Sequence, residues 1–251
     1  MPHLQEEISA KSAAAAAVKH AFVRYPHTPH LAWLGDNPPR DDKVLSSSEA
    51  QALLAGEVVV EEKVDGANLG FSLDSVGQLQ AQNRGQCLAY PASGQFARLP
   101  QWLAMHGESL KSVIDPQWIV FGEWCAARHS LAYDRLPDWW LAFDVYDRKS
   151  GRFLPTSGRN DLAKRSGLSV TAELFRGHAT LASLTRLVSE ASSRYRNGAL
   201  EGIVVRADRL LAPPARAKLV RADFTQAISS HWRQRPIEWN RLACDAAILP
   251  R

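Results

Sequence analysis

The residues best suited to covalent chemistry are Lys63-Val64-Asp65-Gly66, followed two positions later by Asn68. A lysine amine attacks phosphorus or carbonyl carbon only after losing its proton. Its ordinary pKa of about 10.4 must therefore fall, through partial burial or neighbouring positive charge. The glycine is expected to let backbone approach a phosphate closely. The tetrapeptide is short, and by itself a strand-edge lysine beside a turn explains it more simply. Further polar residues set into apolar runs change that balance. Asn83-Arg84-Gly85 ends a hairpin, Glu123 interrupts WIVFGEW and Asp144 interrupts WLAFDVYD. Glu201-Gly202 opens GIVVR, and Lys218 lies within AKLVR. An acid buried in an apolar strand is costly unless it meets a partner, so their convergence on one cavity would make a site.

The elements that must position these residues follow from pattern. Residues 46–56, SSSEAQALLAG, carry a Ser cap, an early acid and a closing Gly, the outline of a short helix. The β-branched run 57–64 reads as a strand ending at Lys63. LGFSLDS and LQAQN pair as a hairpin around Gly77. Residues 93–114 have helical spacing interrupted by Pro100 and Gly107, which predicts helix pieces. The runs 118–124 and 140–147 are apolar enough for buried strands. Helices are expected over 158–165 and 180–197, strands at GIVVRAD and AKLVRAD, and a last helix after Asp223. This pattern predicts an α+β domain of antiparallel sheets flanked by helices.

Composition sets the outer bounds. With 45% hydrophobic residues and eight Trp, the 251 residues can bury one sizeable core. A formal charge of +4 permits a phosphate-bearing partner without demanding one. Three separated cysteines, Cys87, Cys125 and Cys244, suggest neither a disulfide framework nor a CxxC metal site, so a reducing, cytoplasmic setting is expected. No apolar stretch approaches the roughly 20 residues of a membrane span.

In order and approximate spacing, KVDG, NRG, FGE, WLAFDVYD, EGIVVR and AKLVR resemble the ATP-dependent ligase and capping-enzyme superfamily. Within it, Asn68 resembles the RNA ligase 2-like branch, since DNA ligases and capping enzymes usually carry Arg there. The resemblance covers about residues 21–225 and implies a nucleotidyltransferase (adenylation) domain, with 1–20 an N-terminal segment and 226–251 a short C-terminal helical extension. With 30 residues after Arg221, the OB domain that DNA ligases and capping enzymes append is not expected here.

The resemblance also implies roles. Lys63 would form lysyl-AMP, Glu123 would bind ribose, and Trp140, or alternatively Phe143, would stack on adenine. Asp65 and Asn68 belong to the nucleotide-binding motif, and Arg84 would meet phosphate or ribose. Glu201 would organise a divalent metal, Mg²⁺ or Mn²⁺, and Lys218 would contact the α-phosphate of ATP. Arg216 stands where the family commonly has a second lysine. The implied substrate is RNA with 5′-phosphate and 3′-hydroxyl ends, if necessary prepared by end-healing kinase and phosphatase proteins. A DNA ligase or GTP-dependent capping guanylyltransferase would use the same lysine chemistry, and an inactive RNA-binding relic of the fold would need no lysine at all.

Other features carry less. His27 and His30 have metal-like spacing, but two prolines break the stretch and no acidic ligand adjoins them, so a loop role is expected. Arg128 and His129, just after FGE, are candidates for substrate phosphate. Trp232, Trp239, Arg233, Arg235 and Arg241 suggest a packed terminal helix rather than a nucleic-acid surface.

Overall fold

A computed structural model describes residues 22–36, 43–209, 215–227 and 236–243. The β-branched run before Lys63 forms β1 (Val58–Lys63). The hairpin after it is β2 (Ala67–Leu73) and β3 (Leu79–Asn83), turned at Gly77 with φ of 74°. The two apolar runs are β4 (Trp118–Trp124) and β5 (Trp140–Asp147), followed by the two-residue β6 (Arg152–Phe153). β7 (Glu173–Gly177), β8 (Gly202–Arg206) and β9 (Arg216–Val220) complete the strands. They form a four-stranded sheet in the order β7-β1-β8-β9 and a five-stranded sheet in the order β3-β2-β4-β5-β6, antiparallel at every pairing. This is the expected α+β architecture.

Helices cover the outer face of each sheet. α1 (Ser47–Leu54) begins with a capping box in which Ser46 and Glu49 satisfy each other's backbone N–H groups. α2 spans Leu99–Val113, α3 Thr156–Ser166, α4 Leu181–Glu190 and α5 Ala222–Ala227. Leu53 of α1 and Leu184 and Val188 of α4 pack on Val58, Val60, Ile203, Val205 and Leu219 of the four-stranded sheet. Leu99, Trp102 and Leu110 of α2, with Leu162 of α3, pack on Phe71, Val120, Trp140 and Val145 of the five-stranded sheet. The inner faces of the two sheets border a cleft.

Several elements depart from the sequence reading. Residues 99–113 form one helix, because Pro100 falls in its first turn, where no N–H is needed, and Gly107 is carried within it. α4 stops at Glu190 instead of reaching Asn197; Ser193 and Arg194 beyond it give their polar groups to buried Glu62. β7 was not expected: its polar sequence ELFRG occupies a sheet edge, where only one side needs pairing. Residues 236–243, assigned to a helical extension, run largely extended, with bridges from Trp239 to Ala127 and from Leu242 to Leu136. Residues 1–20 and Trp232, Arg233, Arg235 and Cys244 lie outside the described residues. No helix among the described residues is long and apolar enough to cross a membrane.

Candidate active site

The period-two geometry of strands decides which side chains enter the cleft. In β1, Val58 and Val60 face the helices, which turns Glu61 and Lys63 inward. In β8, Ile203 and Val205 face out and Val204 and Arg206 inward; in β9, Ala217 and Leu219 face out and Lys218 inward. The resulting cavity, about 620 Å³, is lined by Lys63, Asp65, Asn68, Arg84, Glu123 and Lys218 among others. These six residues, from separate parts of the sequence, therefore share one cavity wall, whereas Glu201, Trp140 and Arg216 are not on it.

Register sets the contacts. Lys63 pairs with Gly202 across β1 and β8, which puts the preceding Glu201 beside it; Lys63 Nζ lies 2.6 Å from Glu201 Oε1. Gly202 admits β9 closely, since a Cβ there would stand 2.4 Å from Leu219 O. Asn68 pairs with Glu123 across β2 and β4, and Glu123 Oε1 accepts the Gly66 N–H at 3.1 Å. Gly66 answers to packing rather than to phosphate approach alone: a Cβ there would meet Trp124 O at 2.4 Å. Asp65 Oδ2 accepts the N–H groups of Ser130 and Leu131, so this carboxylate holds its own turn.

Electrostatics overturn one expectation. Burial alone would lower the Lys63 pKa, but the carboxylates of Glu201, Glu123 and Asp65 outweigh it and hold the amine well above its ordinary value. Lys63 is thus stored as an ammonium rather than as a ready nucleophile. Burial pushes both Glu123 and Glu201 up to about 7, against the pull of Lys63. Several atoms are buried without a hydrogen-bond partner among the described residues: Nδ2 and Oδ1 of Asn68, Nε of Arg84 and Oε2 of Glu201.

Two assigned residues lie elsewhere. Trp140 is fully buried on the outer face of β5, its indole N–H donating to Leu69 O and its ring packed on Phe71 and Trp102. Gly122 makes room for it, since a Cβ there would come within 2.4 Å of the indole. Phe143 lines the cleft instead, because a bulge opposite Phe121 and Gly122 turns both Phe143 and Asp144 inward. Arg216 is not on the cavity wall; its guanidinium covers Phe153 at 4.0 Å and lies 3.4 Å from Asp144.

Arg216 belongs to a buried network that the sequence reading missed. Glu61 lies 2.6 Å from both Arg206 Nε and Arg159 Nη2, and Arg206 Nη1 reaches Asp144 at 2.7 Å. Tyr25 Oη donates to Asp144 Oδ2 at 2.5 Å. Burial would raise the Asp144 pKa, but Arg206 and Arg216 hold its carboxyl below the usual range. The available signal was alternation: Glu61 and Arg206 share the inward parity of Lys63 and Val204. His27 and Thr28 also line the cavity, on a segment tied to β9 by backbone bonds between Lys218 and both Pro29 and Leu31. Among the described residues no group of three or more His, Cys, Asp and Glu is arranged to hold a metal. His129 lines the cleft and meets Gln95, whereas Arg128 turns to Glu238. Trp239 packs under Arg98.

The cleft thus lies between two antiparallel sheets, with a lysine at a strand end among carboxylates and cations. The RNA ligase family profile matches residues 56–220, well over half of the sequence, and the chain belongs to that family. Among solved structures, an archaeal ATP-dependent RNA ligase aligns with TM-score 0.53 at 18% identity, over 81% of this chain and 49% of its own. A mutant of Naegleria gruberi RNA ligase with ATP and Mn gives TM-score 0.58 at 13% identity, over 82% of this chain and 58% of that one. The Naegleria gruberi RNA ligase with PPi gives 0.55 at 14% identity, over 83% and 64%. At these identities the likeness is one of fold, and the chain spans from about half to just under two-thirds of those proteins. No curated protein matches the sequence.

Proposed function

We propose that this protein is an ATP-dependent RNA ligase in which Lys63 becomes linked to AMP, passes AMP to an RNA 5′-phosphate, and the activated end is sealed to a 3′-hydroxyl. The observation that carries the reading is the convergence of Lys63, Asn68, Arg84, Glu123 and Lys218 on one cleft, with polar atoms of Asn68 and Arg84 left without partners. Buried polar atoms are costly unless satisfied, so this wall fits a polar, anionic occupant. Phe143 and Val204 offer apolar surface for a purine, Glu123 an acceptor for ribose hydroxyls, and Arg84 and Lys218 charge for phosphates. Glu201, with Oε2 unpartnered, is the residue that would hold a divalent cation, Mg²⁺ or Mn²⁺. Such a cation supplies positive charge beside the phosphoryl group.

In the first step the Lys63 Nζ–phosphorus bond forms as the bond from the α-phosphorus to the bridging oxygen breaks, and pyrophosphate leaves with the electron pair. Lys63 starts as an ammonium, so its proton must leave first. Glu201 Oε1, at 2.6 Å, is the acceptor in contact with the amine. With its pKa pushed up only to about 7 it is the weaker base, so transfer requires the positive charge of Arg84 and Lys218 to lower the amine's pKa first. Lys218 then offsets charge on the phosphate. RNA ends lacking a 5′-phosphate or 3′-hydroxyl would need healing by a kinase or phosphatase beforehand, and a cytoplasmic setting suits the free Cys87.

The test is sealing of nicked and free-ended 5′-phosphorylated RNA with ATP and Mg²⁺, beside DNA and GTP controls. The reading expects joined RNA dependent on ATP. Joining of DNA alone favours a DNA ligase, and labelling by GTP alone favours a capping enzyme. No covalent nucleotide and no joining under any condition would leave an RNA-binding relic.

A further inference from the structure

The turn that follows Lys63 is held from a distance. Asp65 Oδ2 accepts the backbone N–H groups of Ser130 at 2.7 Å and Leu131 at 3.0 Å, and the Asp65 N–H donates to Tyr133 Oη at 2.8 Å. These partners lie on residues 125–139, which join β4 to β5 without a named helix or strand of their own. Tyr195 O accepts the N–H groups of Asp134 and Arg135, and the segment 236–243 steadies the rest of that connection. Arg128 N–H donates to Glu238 O, Asn240 N–H to Ala126 O, Arg241 N–H to Tyr133 O and Ala243 N–H to Leu136 O.

At the centre is Asn240, which is buried. Its Oδ1 accepts the Tyr133 N–H at 2.8 Å, while its Nδ2 donates to Cys125 O at 2.7 Å. One short amide thus holds the connection at its start and again at the tyrosine that touches Asp65. A side chain of this length offering both a donor and an acceptor is an asparagine. Asn240 itself does not line the cleft.

We propose that Asn240 is a positioning residue for the chemistry at Lys63. The segment 236–243 is a latch that fixes residues 125–139, which pin Asp65 and so set the direction from which the Lys63 amine meets phosphorus. The inference rests on the lysyl-adenylylation reading of the same site.

The test uses the full chain and three variants: Asn240→Ala, Tyr133→Phe and the two combined. Single-turnover adenylylation at saturating ATP and Mg²⁺ gives a rate constant and an amplitude, and amide hydrogen exchange reports on Ser130 and Leu131. A misaligned nucleophile predicts a rate constant lower by about tenfold or more in each single variant, with apparent ATP affinity changed by no more than about twofold. The double variant should be no slower than the slower single, because both act through one turn. Exchange at Ser130 and Leu131 should quicken in Asn240→Ala. A residue that only stabilises the fold would lower the amplitude and the unfolding temperature while leaving the rate constant unchanged, which overturns the proposal. If Asn240→Ala does not fold, Tyr133→Phe carries the rate comparison. Wild-type protein that never adenylylates would sink the ligase reading; the exchange arm would still decide the latch, quickened exchange upholding it and unchanged exchange overturning it.

Discussion

Among the described residues, each buried charge around Arg206 lies beside a counterpart, although Glu61 Oε1 makes no hydrogen bond, whereas around Lys63 polar atoms of Asn68, Arg84 and Glu201 have no hydrogen-bond partner. Glu61 is shared by Arg206 and Arg159, and Asp144 by Arg206, Arg216 and the Tyr25 hydroxyl. In the Lys63 cluster the ion pair to Glu201 is close, and among the described residues atoms on Asn68, Arg84 and Glu201 have no hydrogen-bond partner. Glu61 and Arg206 of the first cluster and Lys63, Asn68, Arg84 and Glu123 of the second line the same cavity, and β1 contributes to both. The difference separates two tasks. A closed network ties β1 and β8 to β5, and so one sheet to the other. An open one keeps its polar atoms for an occupant and accepts the cost of burying them.

Breaking the closed network should have the largest effect on folding. Arg206→Ala leaves Glu61 to Arg159 alone and Asp144 to Arg216 and the Tyr25 hydroxyl, and should cost about 3–5 kcal/mol in denaturant unfolding at neutral pH. A loss below about 1 kcal/mol would mean that the two clusters do not differ in this way. Next, Trp140→Phe should lower stability by about 2 kcal/mol, because it empties space beside Gly122 in the outer core. ATP affinity should be unchanged in that variant and weakened in Phe143→Ala; the reverse pattern would return the stacking role to Trp140.

Glu123 gives a pH signature of about 1 kcal/mol or more. Its folded pKa, about 7, exceeds the unbound value of 4.5. Between those values the folded protein keeps a proton that the unfolded chain has released. Stability from this group is complete below pH 4.5 and is lost as pH rises through about 7. Glu123→Gln should therefore flatten the decline of unfolding free energy across that window. An unaltered profile would show that the carboxyl is not held protonated. The smallest effect is at Asn68. Because neither polar atom has a partner among the described residues, Asn68→Ala should leave stability unchanged or raise it by up to about 1 kcal/mol, while lowering adenylylation. A marked loss of stability would show that Asn68 is structural.

Much of this was legible in the sequence because Lys63, Asn68, Glu123 and Lys218 sit in strands, where alternation tells inward from outward. The run 57–64 and the hairpin after it placed Lys63, and β4 and β5 fell on the predicted residues. Trp140 was misassigned because distance along the chain from Asp144 says nothing about a bulge, and the bulge at Phe143 decides which aromatic faces the cleft. Arg216 kept the charge of a phosphate ligand, but Asp144 and Phe153 engage it. The raised pKa of Lys63 was not legible either, since it depends on three carboxylates that only the folded sheets assemble. The latch at Asn240 depends on contacts more than a hundred residues apart in the sequence, which no local pattern announces.

The most direct measurement is the intact mass of the protein after incubation with ATP and Mg²⁺, followed by mapping of any modified peptide. The account predicts a single AMP adduct on Lys63, reversed by pyrophosphate and absent from Lys63→Ala. An unmodified wild-type protein, or an adduct that persists when Lys63 is replaced, would contradict it.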